Sequence, residues 1–115
     1  MSVVRRMLAL NLPVSAGNSV TPAIQVPNGA TKVTVQFTYS GLDADVVLSM
    51  HQSLDGGTFD ACLNENDEPV SITLDHQFTS MTLNIIGLLT TWLRFTLQVQ
   101  DATSGFIEKL NVLME

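Results

Sequence analysis

The chain has 115 residues with 5 basic and 11 acidic side chains, a formal net charge of −6, and is 45% hydrophobic but only 14% charged. That length is one domain, and the acidic balance argues against a nucleic-acid partner, because neutralising phosphates needs clustered Lys and Arg and Arg5-Arg6 is the only adjacent basic pair. The single cysteine, Cys62, forbids an internal disulfide and favours a reducing compartment, or assembly before export, and no segment reaches the ~20 apolar residues that a membrane span requires.

The first predicted element covers about residues 3–12, where Leu8, Leu10 and Leu12 alternate with Ala9 and Asn11. Arg5-Arg6 followed by Met7-Leu8-Ala9-Leu10 superficially resembles a signal peptide. Asn11 and Pro13 interrupt its apolar part, so a strand is expected instead. Ala16-Gly17-Asn18-Ser19 reads as a flexible turn. A second run at 22–27 ends at Pro27-Asn28-Gly29, whose Asn-Gly step tolerates positive φ.

The third run, 31–39, carries the clearest signal. Val33, Val35, Phe37 and Tyr39 fall on one face, with Lys32, Thr34, Gln36 and Thr38 on the other, the two-residue period of a half-buried strand. Runs at 45–53 and 58–62 are joined by Asp55-Gly56-Gly57, a strong hairpin signal. An acidic loop, Asn64–Pro69, precedes runs at 69–75, 80–86 and 92–100. Asp101-Ala102-Thr103-Ser104-Gly105 then leads to the last run, 105–113. This last run loses phase: either Glu108 faces a subunit boundary or a bulge shifts the register near Lys109.

About eight or nine short strands and no helical period predict an all-β domain over 1–115, a sandwich of two antiparallel sheets. The expected inward set is Leu8, Leu10, Leu12, Ile24, Val26, Val33, Val35, Phe37, Tyr39, Val46, Leu48, Met50, Val70, Ile72, Leu74, Met81, Leu83, Ile85, Leu93, Phe95, Leu97 and Val99. Six apolar residues have no evident place in that core: Leu54, Ile86, Leu88, Leu89, Leu113 and Met114. Together with the sparse charge cover, they predict surface sealed by a sister subunit. The stretch Ile85–Leu89 is too apolar for an exposed loop, so it is expected under the sandwich or against a neighbour.

No constellation reads as a reaction centre. His51, His76 and Cys62 do not supply zinc ligands by spacing. Asp43-Ala44-Asp45 and Asn64–Glu68 offer oxygen ligands for calcium, yet Asp and Asn favour turns anyway. Asp55 and Asp60 have structural explanations, a hairpin turn and a strand end, and no serine sits in a Gly-x-Ser-x-Gly elbow. No catalytic residue, cofactor or metal is assigned, and the protein is expected not to be an enzyme. Cys62 reads as a small core or edge residue, and Trp92 as a core-edge anchor rather than a stacking platform.

Gln52-Ser53-Leu54-Asp55-Gly56-Gly57-Thr58-Phe59, then Trp92-Leu93-Arg94-Phe95, then Thr103-Ser104-Gly105-Phe106-Ile107 form a familiar layout. It resembles small β-sandwich virion proteins of tailed bacteriophages. In those proteins a Ser-x-Asp-Gly-x-x-aromatic hairpin precedes a strand with an aromatic-hydrophobic-Arg step, and a Ser-Gly turn enters the terminal strand. The resemblance runs from about Val33 onward. It implies a jelly-roll-like head decoration, or auxiliary capsid, protein. Such proteins bind the capsid lattice, through the major capsid protein or other virion proteins, as trimers or other homo-oligomers. The protein would then be part of the virion, assembled in the host cytoplasm. Arg94 matches the strand arginine, in a structural role: pairing with a carboxylate or crossing a subunit boundary. The expected interface set is therefore Arg94, Trp92, Leu54, Ile86, Leu88, Leu89 and Leu113. The alternative is a carbohydrate- or receptor-binding module on a phage tail or fibre, using Trp92, His51 and the Asn64–Glu68 loop.

Overall fold

The computed structural model describes residues 3–115. Ten strands follow one another: β1 (Val4–Pro13), β2 (Ser19–Val20), β3 (Ile24–Gln25), β4 (Lys32–Ser40), β5 (Val46–Ser53), β6 (Asp60–Ala61), β7 (Ser71–Leu74), β8 (Ser80–Ile86), β9 (Trp92–Gln98) and β10 (Phe106–Met114). A 3-10 turn, Val14–Ala16, links β1 to β2.

All pairings are antiparallel. The first sheet runs β1-β10-β4-β8. In the second, β9 and β5 form the centre, β2 and β3 flank β9, and β6 and β7 flank β5. Each flanking pair is one interrupted strand, so the molecule is an eight-stranded jelly roll, two sheets packed face to face. The fold class is as the alternation predicts.

The inner faces form the core. Val35 and Phe37 of β4, and Leu93, Phe95 and Leu97 of β9, are fully buried. The Phe37 and Phe95 rings meet edge to face between the sheets, 5.1 Å apart at 87°, the arrangement that ring quadrupoles favour. The Tyr39 hydroxyl donates to the Asp75 carbonyl at 2.8 Å, which gives this buried ring a polar outlet.

Several expectations need correction. The Ala16–Ser19 segment does turn, at Gly17 with φ 84°, but it is pinned between the end of the 3-10 helix and the start of β2. Val14, just before it, is buried, and Asn18 Oδ1 within it accepts from the Val99 amide at 2.9 Å. Leu8, Leu10 and Leu12 pack against the core as expected but are only half-buried, because β1 is an edge strand paired with β10 alone. Val70, Met81, Leu83, Ile85 and Val99 likewise face the core while half-buried. The phase loss in the last run is a bulge: the register shifts between Ile107 and Lys109 against β4, and between Ala9 and Leu12 of β1 opposite. The bulge leaves Glu108 between the buried Ile107 and the exposed Lys109. After it, Leu110, Val112 and Met114 all face inward, so Met114 is core, not surplus, and Leu113 is half-buried on the outer face.

Leu88 is corrected likewise. It is 4% exposed, because Gly87 at φ 80° turns the chain and the Leu88 amide then donates to the Thr31 carbonyl at 2.8 Å. That turn folds Leu88 over the end of the sandwich and throws Ile86 and Leu89 outward. Leu88 is thereby removed from the interface set.

Candidate interaction surface

The outer face of the second sheet carries the sequence-predicted aromatic and arginine. Register pairs Ser53 with Trp92, His51 with Arg94 and Ser49 with Thr96. Trp92 is half-buried, and the Gly56 turn lies over the face of its indole: a Cβ on Gly56 would stand 3.0 Å from Trp92 Nε1 and 3.1 Å from Cε2. The ring packs on the hairpin turn, which covers one of its faces. Asp55 builds that hairpin. Its Oδ1 accepts from Ser53 Oγ at 2.9 Å and from the Gly57 and Thr58 amides at 2.8 Å each, which lowers its pKa to about 2. Leu54, at the tip, is 75% exposed.

Arg94 has no carboxylate within ion-pair distance among the described residues. Its guanidinium instead lies over the Phe59 ring, 4.1 Å from the centroid. His51 Nδ1 is 3.2 Å from Thr96 Oγ1. The carboxylate reading of Arg94 is therefore replaced, within the chain, by a cation–π contact. Nothing in the local sequence marks Phe59 as its partner, since β5 brings the hairpin beside β9.

At one end of the sandwich, acidic side chains tie loops together. Asp43 accepts from the Thr103 and Ser104 amides at 2.8 and 3.1 Å and from the Thr103 hydroxyl, which holds its pKa at about 2. Asp45, Asp75 and His76 also converge, with one ligand atom from each lying within 4.8 Å of the others. Sequence spacing separates Asp45 from the adjacent Asp75-His76 pair; the packing of the β4–β5 loop against the β7–β8 turn unites them. His76 Nδ1 stands 2.6 Å from Asp45 Oδ1 and 3.9 Å from Asp75 Oδ1. Two ligands of one tetrahedral metal, with bonds of about 2.0–2.2 Å, stand ~3.3 Å apart, so 2.6 Å is the geometry of a hydrogen bond. The Asp45 carboxylate raises the His76 pKa, and His76 lowers that of Asp45. In the other acidic loop, Asn64 Oδ1 is committed to the Asn66 and Glu68 amides.

The third feature is apolar. Along the flank where β8 ends the first sheet and the β6–β7 connection ends the second, a groove of about 760 Å³ opens. Leu63, Ile86 and Leu89 stand at it, exposed at 51%, 79% and 80%, with Leu83 and Ile85 half-buried alongside. Ile86 and Leu89 belong to the surplus read from the sequence; Leu63 was missed. Its signal was present, because the alternation that sends Cys62 inward sends Leu63 out. Cys62 is buried, which raises its thiol pKa, and it does not present a nucleophile.

No protein-family model matches the chain, and no curated protein matches it in sequence. Solved structures do match in fold. The SPBc2 prophage-derived protein YomS aligns over 100% of this chain and 96% of its own, with a TM-score of 0.63 and 11% identity. PirA aligns over 98% of this chain and 93% of its own, with a TM-score of 0.50 and 8% identity. TmCBM61, solved with β-1,4-galactotriose, aligns over 92% of this chain and 67% of its own, with a TM-score of 0.48 and 15% identity. At these identities the likeness is one of fold, and a protein of prophage origin shares it.

Proposed function

We infer that this protein is a non-enzymatic structural component of a phage particle, a capsid decoration protein that works as a homo-oligomer on the capsid lattice. The observation that carries this reading is the uncovered apolar flank. Ile86 and Leu89 are about four-fifths exposed beside Leu63, in a chain whose core is complete without them. A small monomer has little reason to keep such a patch, whereas a subunit interface does. The full-length fold likeness to a prophage-derived protein agrees with it, as does the resemblance of the Ser53–Phe59 hairpin and the Arg94 strand to small phage virion proteins. The carbohydrate alternative has less support, because Trp92 is folded onto the hairpin and the Asn64 loop closes on itself.

Sedimentation velocity at micromolar concentration, with and without undecorated capsid shells of the parent phage, tests the reading. The expected result is a defined oligomer that co-sediments with shells. A monomer that stays in the supernatant overturns it.

A further inference from the structure

β8 is an end strand: it pairs with β4 and, among the described residues, with no other strand. The hydrogen bonds next to the ladder show which backbone groups face the open side. The Tyr39 amide donates to the Thr79 carbonyl at 2.9 Å, whereas Lys32 exchanges bonds of 3.0 and 2.9 Å with Glu115, toward β10. Odd-numbered β4 residues thus bond toward β8 and even-numbered ones toward β10. The unbroken register, Thr34 opposite Asn84 and Val35 opposite Leu83, carries the same parity onto β8. Met81, Leu83 and Ile85 spend their amides and carbonyls on β4. Ser80, Thr82, Asn84 and Ile86 turn theirs to the open edge.

Native sheets guard such edges with charge, proline, bulges or brevity, and the other edges of this molecule are guarded. β1 carries Arg5 and Arg6, a register shift between Ala9 and Leu12, Asn11 at φ 48° and a terminal Pro13. The second sheet ends in strands of two to four residues. β8 is seven residues long, regular in register and free of charge, proline and glycine. No Asp, Glu, Lys or Arg occurs from Gln77 to Leu93. In a chain of net charge −6, this is an edge where two copies meet without like charges facing each other.

We propose that β8 pairs antiparallel with β8 of a second copy, about a two-fold axis through Leu83, so that two four-stranded sheets become one of eight strands. This deepens the homo-oligomer reading above and rests on it. Leu83 meets its own counterpart as a non-hydrogen-bonded pair, since its backbone groups are already used. Met81 meets Ile85 of the second copy, and the half-buried row at the sandwich edge becomes interior. On the outer face, Thr82 meets Asn84 of the second copy. The sheet already makes this pairing internally, where Thr34 Oγ1 donates to Asn84 Oδ1 at 2.7 Å.

The test is Leu83→Cys in the full chain under mild oxidation. Non-hydrogen-bonded pairs place Cα atoms about 4.5 Å apart, within disulfide reach, and the native Cys62 is only 3% exposed. The expected result is a covalent dimer, reversed by reductant, with the β-sheet circular dichroism unchanged. Thr82→Pro removes an amide needed only by the second copy, so it is expected to give a folded monomer. Should Thr82→Pro not fold, the Thr82→Lys/Asn84→Lys double variant, which charges the open edge, is expected to do the same. If wild type is oligomeric but Leu83→Cys does not cross-link, or the charged double variant folds and still dimerises, the β8 register is overturned while the homo-oligomer reading stands. A monomeric wild type overturns both.

Discussion

The guanidinium of Arg94 and the ring of Phe59 stack across two elements, 4.1 Å from charge centre to ring centroid, and join central strand β9 to the return arm of the β5–β6 hairpin. A cation over an aromatic face contributes about 0.5–1 kcal/mol at a partly exposed site. Arg94→Ala and Phe59→Ala are each expected to lower stability in urea unfolding by about 1 kcal/mol. In a double-mutant cycle the two losses are expected to be less than additive. Full additivity would mean that the contact carries no coupling.

Gly56 is the second fixed point of that hairpin. Its φ of 80° disfavours any side chain, and an added methyl would meet Trp92 Nε1 at 3.0 Å. Gly56→Ala is expected to cost about 1–3 kcal/mol and to shift the Trp92 emission, since the indole must give way. Gly29 also has positive φ, at 86°, but open space around it. Gly29→Ala is expected to cost less and to leave the fluorescence unchanged.

Much of this architecture is legible in the sequence, and what escapes it has physical causes. The β4 alternation fixes both its face and its burial, because a strand central to its sheet repeats with a period of two. The Asp55-Gly56-Gly57 hairpin is legible because its geometry is local. The bulge at Glu108 is visible only as lost phase. Its resolution needs β1 and β4 on either side, and with it the placement of Met114. Leu88 is misplaced by composition alone, since a single bond to Thr31 decides its side. The Asp45–His76 and Arg94–Phe59 contacts join residues that are distant along the chain, and no spacing rule reaches them.

Acid sensitivity follows from carboxylates that cap loops. Asp43 and Asp55 fall from the ordinary 3.8 to about 2 through the hydrogen bonds that they accept. Depressed folded-state values contribute stability that is present above pH 3.8 and lost as pH falls toward 2. Melting temperature is expected to decline across that interval, and Asp43→Asn and Asp55→Asn to flatten the decline. A curve as steep in both variants as in wild type would contradict the assignment.

The Asp45–His76 contact has the opposite sign on its histidine side. A raised His76 pKa contributes stability that is fully present below 6.5 and lost as pH rises through the folded value. The lowered Asp45 contribution holds above 3.8 and is lost as pH falls through its own folded value. The pair is thus strongest between those two limits. Proton NMR is expected to show His76 titrating above 6.5, and Asp45→Asn to bring it down. An unchanged titration in that variant would place the cause elsewhere.

Ile86 and Leu89 are exposed enough that replacing both with Ser is expected to change monomer stability by no more than about 0.5 kcal/mol each. The same double variant is expected to weaken self-association in sedimentation. Association at wild-type strength would show that the apolar flank is not the contact.

The guarded first strand sets a limit on growth. A jelly roll with both flanks receptive would add molecule after molecule and lengthen into a ribbon, because each addition would leave a fresh end. Here arginines, a bulge and a proline close off one side, so any union through the other consumes the receptive end of both participants. Assembly by that route is self-terminating.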